Sequence, residues 1–193
     1  DALVELKVRR EQTLVAIGGG IIQDITCFLA TTLMRGLPWM FYPTTLLAQS
    51  DSCIGSKSSI NSGDVKNILG TFTPPNNVVI DVDFLSTLEE KDIFSGIGEM
   101  IKVHAINSPI DFDKISNNYD QILSDQSLME EFILSSLLMK KRLIEVDEFD
   151  QGPRNVMNYG HSFGHAIESA TNYGIPHGIA VTIGMDIANY VAS

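Results

Sequence analysis

Three of the four histidines of the chain lie within a stretch of 17 residues. His161 and His165 are spaced i and i+4, which places them on one face of a helix, and His177 follows after a turn rich in glycine and proline. Zinc-binding helices use this spacing, and a catalytic zinc site usually adds a carboxylate to its imidazoles. Glu99, among the small residues of GIGEMIK, is the candidate carboxylate. These residues predict a divalent metal site.

A run of three glycines, Gly18–Gly20, forms the second candidate site. The β-branched and apolar segment 13–17 predicts a strand that ends at the glycines, and segment 21–33 predicts a helix that follows them with Asp24 in its first turn. Such glycines let the backbone approach a phosphate, which the helix N-terminus can bind. Because the spacing is not G-x-G-x-x-G, a plain strand-to-helix turn stays an alternative.

Although the chain is acidic, two of its lysines and one arginine lie beside serine or asparagine and not within runs of charged residues. The chain has 13 Lys+Arg and 24 Asp+Glu, a formal net charge of −11. Lys57 follows a serine and Lys66 precedes Asn67, positions that favour fixed anion ligands over a solvated surface, although any single lysine is compatible with the latter. The candidate anion-binding cations are Lys57, Lys66, Lys102, Lys140 and Arg154. With the glycines and histidines, they indicate an enzyme acting on a small phosphorylated or carboxylated substrate.

Composition narrows the class of protein. A chain of 193 residues with 44% hydrophobic residues can bury a sizeable core. Its acidity disfavours nucleic acid and anionic membranes as partners. Cys27 and Cys53 lack CxxC spacing, so we expect buried free thiols, a reducing compartment and a cytoplasmic location. The apolar stretch 25–48 is interrupted by charge and proline, so it cannot cross a bilayer as one helix.

The elements that must position these residues change in type along the chain. Continuous apolar runs predict strands over 13–17, 39–42 and 78–82, in a parallel sheet covered on both faces. Apolar residues at three- and four-residue spacing predict helices over 90–107, 128–147, 161–173 and 178–192. We therefore predict an α/β domain over 1–88 and an all-helical domain over 89–193. The chain opens at DALVE without a starting Met, so we expect a piece of a longer protein.

The motifs together resemble the 3-dehydroquinate synthase family, part of the sugar phosphate cyclases. The resemblance runs collinearly from Val15 to Met185 and is carried by GGGIIQD, MRG, PTTLLAQSDS, KSSIN, KN, GEMIK and RNVMNYGHSFGHAIE. It implies a Rossmann-like NAD-binding α/β domain and a helical metal-binding domain, with the active site between them and a homodimer as the assembly. Against the family pattern, upstream strands and C-terminal helices are absent, so we expect the piece to expose a sheet edge.

The resemblance also implies an activity. A tightly bound NAD oxidises an alcohol of a seven-carbon keto-sugar phosphate acid of the shikimate pathway, phosphate is eliminated, the ketone is reduced again, and an intramolecular aldol addition closes the ring. A divalent metal, zinc or cobalt, polarises the reacting oxygen. Alternatives are a divergent cyclase of the inosose or valiolone type, an iron- or zinc-dependent alcohol dehydrogenase, and a non-catalytic paralogue.

Roles carried over position by position are likewise implications of the resemblance. The metal ligands are Glu99, His161 and His177, which leaves His165 for phosphate binding and proton transfer. The other substrate residues are Asn158, Lys57 and Asn67 at the phosphate, Arg35 from a second subunit, Lys140 and Arg154 at the hydroxyl and carboxylate end, and Asp51 and Lys102 at the ring hydroxyls. The NAD contacts are Gly18, Gly19, Gly20, Asp24, Thr44, Thr45, Leu47, Asp51, Ser52, Lys66, Phe84, Thr87 and Leu88.

Four positions depart from the family pattern. Gln23, Ser56 and Val65 stand where the family has glycine, and Ile179 follows the proposed ligand His177 where the family usually has Glu. Because the inosose synthases also lack that Glu, the substitution favours a divergent cyclase. The retained Lys140 and Arg154 favour the acidic seven-carbon substrate.

Overall fold

The computed structural model describes residues 2–63 and 65–193, with the side chains of Lys66 and Asn67 outside the described part. The helices are α1 (Ala2–Glu5), α2 (Gly20–Thr32), α3 (Glu90–Asn107), α4 (Pro109–Asn117), α5 (Tyr119–Ile122), α6 (Gln126–Val146), α7 (His161–Ala170) and α8 (His177–Ala192). The strands are β1 (Leu14–Gly18), β2 (Trp39–Pro43), β3 (Lys57–Ser62), β4 (Val65–Phe72) and β5 (Asn77–Val78). Single helical turns cover Leu33–Arg35, Ala48–Ser52, Val82–Thr87 and Pro153–Asn158.

The parallel sheet has the order β1-β2-β5, and β1, α2 and β2 form a βαβ unit. Its third strand is shorter than expected, because residues 79–82 do not continue the predicted strand 78–82. The Asp81 carboxylate accepts a hydrogen bond from Asp83 N and caps the turn Val82–Thr87. Gln49 Nε2 donates to Asp81 O at 2.8 Å, which holds the chain outside the sheet there.

The sheet is covered on one face at β1, not on both. Ala16 and Phe41 are buried against Cys27 and Ala30, two residues of α2. Val15 and Ile17 point to the opposite face of β1 and are 53% and 59% exposed. The expectation of two covered faces is therefore wrong for this strand, because α2 packs on only one of them.

An antiparallel hairpin, β3–β4, lies between β2 and β5 along the chain and was not predicted. It packs on α2, where Asp24 Oδ1 accepts from Ser59 N at 3.1 Å. The segment KSSINS lacks the alternation of apolar and polar residues that marks a half-buried strand.

The helical region confirms the four predicted helices to within a few residues. Its core is formed by residues such as Ile97, Met100, Phe132 and Ile133 of α3 and α6. A further helix, α4, was not predicted; Ser108 is its N-cap and Pro109 its first residue. Both cysteines are buried and free, as predicted. Within the described chain, no helix is long and apolar enough to span a membrane.

Candidate active site

Close helix contacts at glycines bring the candidate metal ligands together. A Cβ on Gly98 in α3 would lie 2.3 Å from Gly178 O in α8, and one on Gly178 would lie 1.8 Å from Ser95 O. Gly160, with φ +78°, caps α7, and its added Cβ would lie 2.6 Å from Val181 O. Only glycine permits these approaches. Since Glu99, His161 and His177 are the chain neighbours of these glycines, the contacts place all three side chains at one point.

The cluster has the donor set of a divalent metal site. Glu99 Oε1 lies 3.6 Å from His177 Nε2 and 4.0 Å from His161 Nε2. The imidazoles of His161, His165 and His177 each offer a nitrogen, and these three atoms lie within 4.8 Å of one another. Glu99 Oε1 is buried and accepts no hydrogen bond from the described chain. A buried carboxylate oxygen without a donor is costly, so these residues fit a cation.

The structure brings together both predicted ligand sets: the three histidines with Glu99, predicted from residue types and spacing, and the set without His165, implied by the family resemblance. His165 is the most exposed of the three imidazoles, with 55% of its side chain accessible, against 16% for His161 and 32% for His177. The pKa of His161 is lowered by burial and by the nearby Lys102 ammonium, against the opposing effect of Glu99. This lowered pKa keeps the ring neutral and its lone pair available near neutral pH.

A row of buried charges extends from this cluster. Lys102 pairs with the second oxygen of Glu99, and Lys140 Nζ lies 3.2 Å from Asp51 Oδ1 and donates to Asp51 O at 2.6 Å. Burial alone would raise the pKa of Asp51, but Lys140 and Lys102 outweigh it and hold the pKa at about 2. The pKa of Lys102 is raised, because Glu99 and Asp51 outweigh its burial. Asp51 and Lys102 thus stay charged at neutral pH.

Gln23 forms two hydrogen bonds with Ser52 in the turn that contains Asp51. Its Nε2 donates to Ser52 O at 2.6 Å, and Ser52 Oγ donates back to Gln23 Oε1 at 2.7 Å. Gln23 is buried, so the side chain fills space between α2 and the turn Ala48–Ser52. The Gln23 side chain therefore links two predicted cofactor-binding segments.

Two predicted anion-binding cations contact the loop after α6. Lys57 Nζ lies 2.8 Å from Asp150 Oδ2, and Arg154 Nη1 donates to Glu148 O at 2.7 Å. Phe72 of the hairpin packs edge-on against Phe149 of the same loop at 5.1 Å between centroids. The contacts of Lys57 and Phe72 attach the hairpin to the loop after α6. Lys57 and Arg154 are both held against this loop.

The glycine turn lies at the carboxyl end of the sheet, where open α/β sheets bind ligands. Thr44 N donates to Gly18 O at 2.9 Å, and a Cβ on Gly19 would lie 2.9 Å from Thr45 Cγ2. A Cβ on Gly20 would meet no heavy atom of the described chain within 4 Å. Burial raises the pKa of Asp24, against the opposing hydrogen bond from Ser59.

A cleft of about 430 Å³ connects the two regions. It is lined on one side by Asp24 and Ser59 and on the other by His165, Glu168 and His177. The structure thus places the predicted nucleotide-binding helix and the metal cluster on opposite walls of one cavity.

The remaining predicted residues are more scattered. Arg35 is exposed in the turn beyond the far end of α2, about 20 Å along the helix axis from the glycine turn. Asn158 is exposed three residues before His161. Phe84 and Thr87 lie in the turn Val82–Thr87, while Leu88 packs against the helical core and Leu47 precedes the turn with Asp51. Lys66 and Asn67 have side chains outside the described part.

The structure also places two residues that sequence reasoning did not assign. Glu168 is buried beside His165 and His177, and Asp150 pairs with Lys57. Glu168 follows His165 by three residues, which is a signal for a shared helix face. Ile179 lines an apolar cavity of about 260 Å³ with Phe94 and Tyr119, so it does not take part in the metal cluster.

Comparison with known proteins matches the whole chain to one family. Models of the 3-dehydroquinate synthase N-terminal and C-terminal domains match residues 1–95 and 96–193. The 3-dehydroquinate synthases of Dictyoglomus turgidum and Geobacter metallireducens are 45% and 41% identical to the chain over 94% and 96% of its length, and the match covers 52% of each relative. The chain thus spans about half the length of the curated relatives it matches.

Solved structures show the same fold in two sugar phosphate cyclases. ValA, the 2-epi-5-epi-valiolone synthase of Streptomyces hygroscopicus subsp. jinggangensis solved with NAD+ and Zn2+, has a TM-score of 0.88 at 28% identity, covering 96% of this chain and 52% of its own. A 2-deoxy-scyllo-inosose synthase with carbaglucose-6-phosphate, NAD+ and Co2+ has a TM-score of 0.84 at 27% identity, covering 99% and 53%. With both domain models matched end to end and this fold, the chain belongs to the 3-dehydroquinate synthase family.

Proposed function

We propose that this chain forms the catalytic centre of a 3-dehydroquinate synthase, with residues 1–88 as its nucleotide-binding part and 89–193 as its metal-binding part. The observation that carries the proposal is Glu99 Oε1, a buried carboxylate oxygen that faces His177 and His161. The Asp51–Lys140 pair stands beside it, and the cleft to the glycine turn opens next to it. A substrate in that cleft would lie between His177 and His165 on one wall and the nucleotide-binding helix α2 on the other.

The residues present fit a divalent metal ion and NAD. Glu99, His161 and His177 would hold the metal, which supplies a Lewis acid for the oxygen of the substrate. The open space at Gly20 and the exposed N-terminus of α2 would receive a phosphate of NAD, which supplies the hydride acceptor. Thr44, Thr45 and Asp24 surround this turn, and Ser52 and Asp51 lie on the neighbouring turn.

Fixed charges then bind and orient a doubly anionic substrate. Lys57 would exchange Asp150 for the phosphate, with Asn158 and Asn67 as further ligands, and Lys140 and Arg154 would hold the hydroxyl and carboxylate end. Asp51 and Lys102 would orient the ring hydroxyls. His165, on the wall of the cleft, would carry the proton that moves during phosphate elimination.

The proposal also includes a homodimer, because of the position of Arg35, and a cytoplasmic location. Arg35 lies too far from the cleft to serve it within one chain. We place it in the active site of the partner in a homodimer. A cytoplasmic setting accords with the two buried, reduced cysteines.

The test is phosphate release from the seven-carbon keto-sugar phosphate acid, measured with zinc, NAD and the chain joined to any flanking sequence of its gene. We expect release without net NADH, lost in a chelator and in Glu99→Gln. Glu145→Gln is the matched control, because Glu145 is an exposed carboxylate in α6. No release from a protein that still binds NAD and metal would contradict the proposed substrate.

A second candidate is a divergent sugar phosphate cyclase of the inosose or valiolone type. The observation that favours it is Ile179, which has replaced a carboxylate beside a proposed ligand and lies in an apolar cavity. Phosphate release from a neutral hexose or heptulose phosphate, and not from the acid, would establish this alternative. Net NADH formation from a simple alcohol would instead indicate a dehydrogenase, although such a substrate needs no buried cations such as Lys140 and Arg154.

A further inference from the structure

Glu168 occupies a position that helix stability does not explain. It is buried, with 7% of its surface exposed, and it lies in the last turn of α7 (His161–Ala170). A carboxylate at the C-terminal end of a helix faces the negative end of the helix dipole, and burial adds a desolvation cost. Its Oε2 atom accepts no hydrogen bond from the described residues. The fold therefore holds this carboxylate at a cost, next to the two imidazoles that it contacts.

The imidazole of His177 lies between two carboxylates. Its Nδ1 atom is 3.3 Å from Glu168 Oε1, and its Nε2 atom is 3.6 Å from Glu99 Oε1. A neutral imidazole carries one N–H and one lone pair, and an ionised carboxylate can only accept a hydrogen bond. With Nδ1–H directed at Glu168, the lone pair lies on Nε2, on the side of Glu99.

His161 shows the same arrangement with a different acceptor. Its Nδ1 atom lies 3.3 Å from Tyr159 O, a backbone carbonyl, and its Nε2 atom faces Glu99 Oε1 at 4.0 Å. Metal-ligating histidines in proteins commonly donate their second N–H to a carbonyl or a carboxylate, which fixes the tautomer and the ring orientation. The two rings thus present the same atom, Nε2, to the same point, with a carbonyl oxygen near Nδ1 of His161 and a carboxylate oxygen near Nδ1 of His177.

We propose that Glu168 is a positioning residue that holds His177 in the Nδ1-protonated tautomer with Nε2 aimed at the metal position. The inference rests on the proposed ligand set of Glu99, His161 and His177. The second oxygen of Glu168 lies 4.0 Å from His165 Nε2, so the same carboxylate adjoins the residue proposed to transfer protons. Glu168 acts through His177, by fixing the tautomer and the orientation of that ring.

The test compares metal affinity in three variants of the full chain, by competition of Zn2+ with a chelator. Glu168→Ala removes the acceptor and is expected to weaken Zn2+ binding by about 10- to 100-fold. Glu168→Gln keeps an oxygen acceptor without the charge, so its loss is expected to be smaller. Glu145→Ala removes an exposed carboxylate from α6 and is expected to leave the affinity unchanged. Equal Zn2+ affinity in Glu168→Ala and wild type would overturn the inference.

Spectroscopy separates positioning from a merely structural role. Two-bond 15N–1H couplings of the unmutated, metal-free chain at about pH 8 report the tautomer of His177, with Nδ1–H expected. An Nε2-protonated ring would overturn the inference even if Glu168→Ala failed to fold. A wild-type chain that binds no Zn2+ while His177 shows the Nδ1–H tautomer would contradict the proposed function and leave the geometric assignment standing.

Discussion

A Cβ added to Gly20, at the start of α2, would meet no heavy atom of the described chain within 4 Å, whereas one added to Gly178, at the start of α8, would lie 1.8 Å from Ser95 O. Both glycines stand in the first turn of a helix beside a proposed ligand site. At Gly178 the space is filled by α3, and the contact aligns Glu99 with His177. At Gly20 the space is open to a ligand. Close packing between helices thus forms the proposed metal site, whereas the proposed nucleotide site is a space beside Gly20 that no described residue fills.

The largest effect is expected at Gly178, where α3 and α8 are in close contact. Gly178→Ala forces α3 and α8 apart and is expected to destabilise the chain by about 3 kcal/mol, the upper part of the range for overpacking. Gly20→Ala is the matched substitution and is expected to change stability by less than about 1 kcal/mol, because its methyl group has room. Urea unfolding measures both. Equal losses in the two variants would remove the distinction between packed and open glycines.

The second prediction concerns the junction between the two regions, where Lys140 of α6 meets Asp51 of the turn after β2. Lys140→Met leaves the buried Asp51 carboxylate with Lys102 as its remaining cation and is expected to cost about 2 kcal/mol. Lys141→Met is the control, since Lys141 is exposed and its pair with Glu145 spans 3.6 Å. Urea unfolding of the two variants is the measurement. A cost as small as that of the control would show that the pair does not join the regions.

The third prediction tests whether the open space at Gly20 binds a ligand. Gly20→Ala places a methyl group in the space proposed for a phosphate of NAD and is expected to weaken NAD binding about tenfold, or 1.4 kcal/mol. Titration of the metal-loaded protein by the quenching of Trp39 fluorescence or by calorimetry measures the affinity. Unchanged NAD affinity in this variant would mean that the turn has only a structural role.

The smallest expected effect is that of Asp24, whose carboxylate contributes to stability at neutral pH with the opposite sign to that of Asp51. Asp51 has a pKa lowered to about 2, so its contribution to stability is present above the unfolded value of about 3.8 and is lost as pH falls towards 2. Burial raises the pKa of Asp24, so its carboxylate opposes folding once the pH has risen through the folded pKa. We expect Asp51→Asn to destabilise the chain at pH 7 and Asp24→Asn to stabilise it slightly. Denaturant unfolding at pH 7 measures both, and the same sign in both variants would contradict the assignment.

Sequence patterns were most informative where a residue's neighbours in space are also its neighbours along the chain. Apolar periodicity predicted α3 and α6, and the i, i+4 spacing predicted that His161 and His165 share one face of α7. The hairpin β3–β4 was missed because the polar segment of β3 carries no alternation of apolar and polar residues, and β5 was overestimated because the chain after residue 78 leads into the helical turn Val82–Thr87, which Asp81 caps.

Side-chain partners from distant elements were beyond sequence reasoning. Glu168 shares a helix face with His165, but its closer contact is to His177 in the next helix. The partner of Lys57, Asp150, lies 93 residues away along the chain. The link between Gln23 and Ser52 depends on how α2 packs against a turn after β2. Such contacts follow from tertiary packing, which no local pattern encodes.

The most direct test of the central claim, that Glu99, His161 and His177 hold a divalent ion, is Co2+ titration monitored by visible absorption. We expect one Co2+ per wild-type chain, a loss of binding by orders of magnitude in His177→Ala, and near wild-type affinity in His165→Ala. A loss in His165→Ala as large as that in His177→Ala, or no Co2+ bound by the wild-type chain, would contradict it.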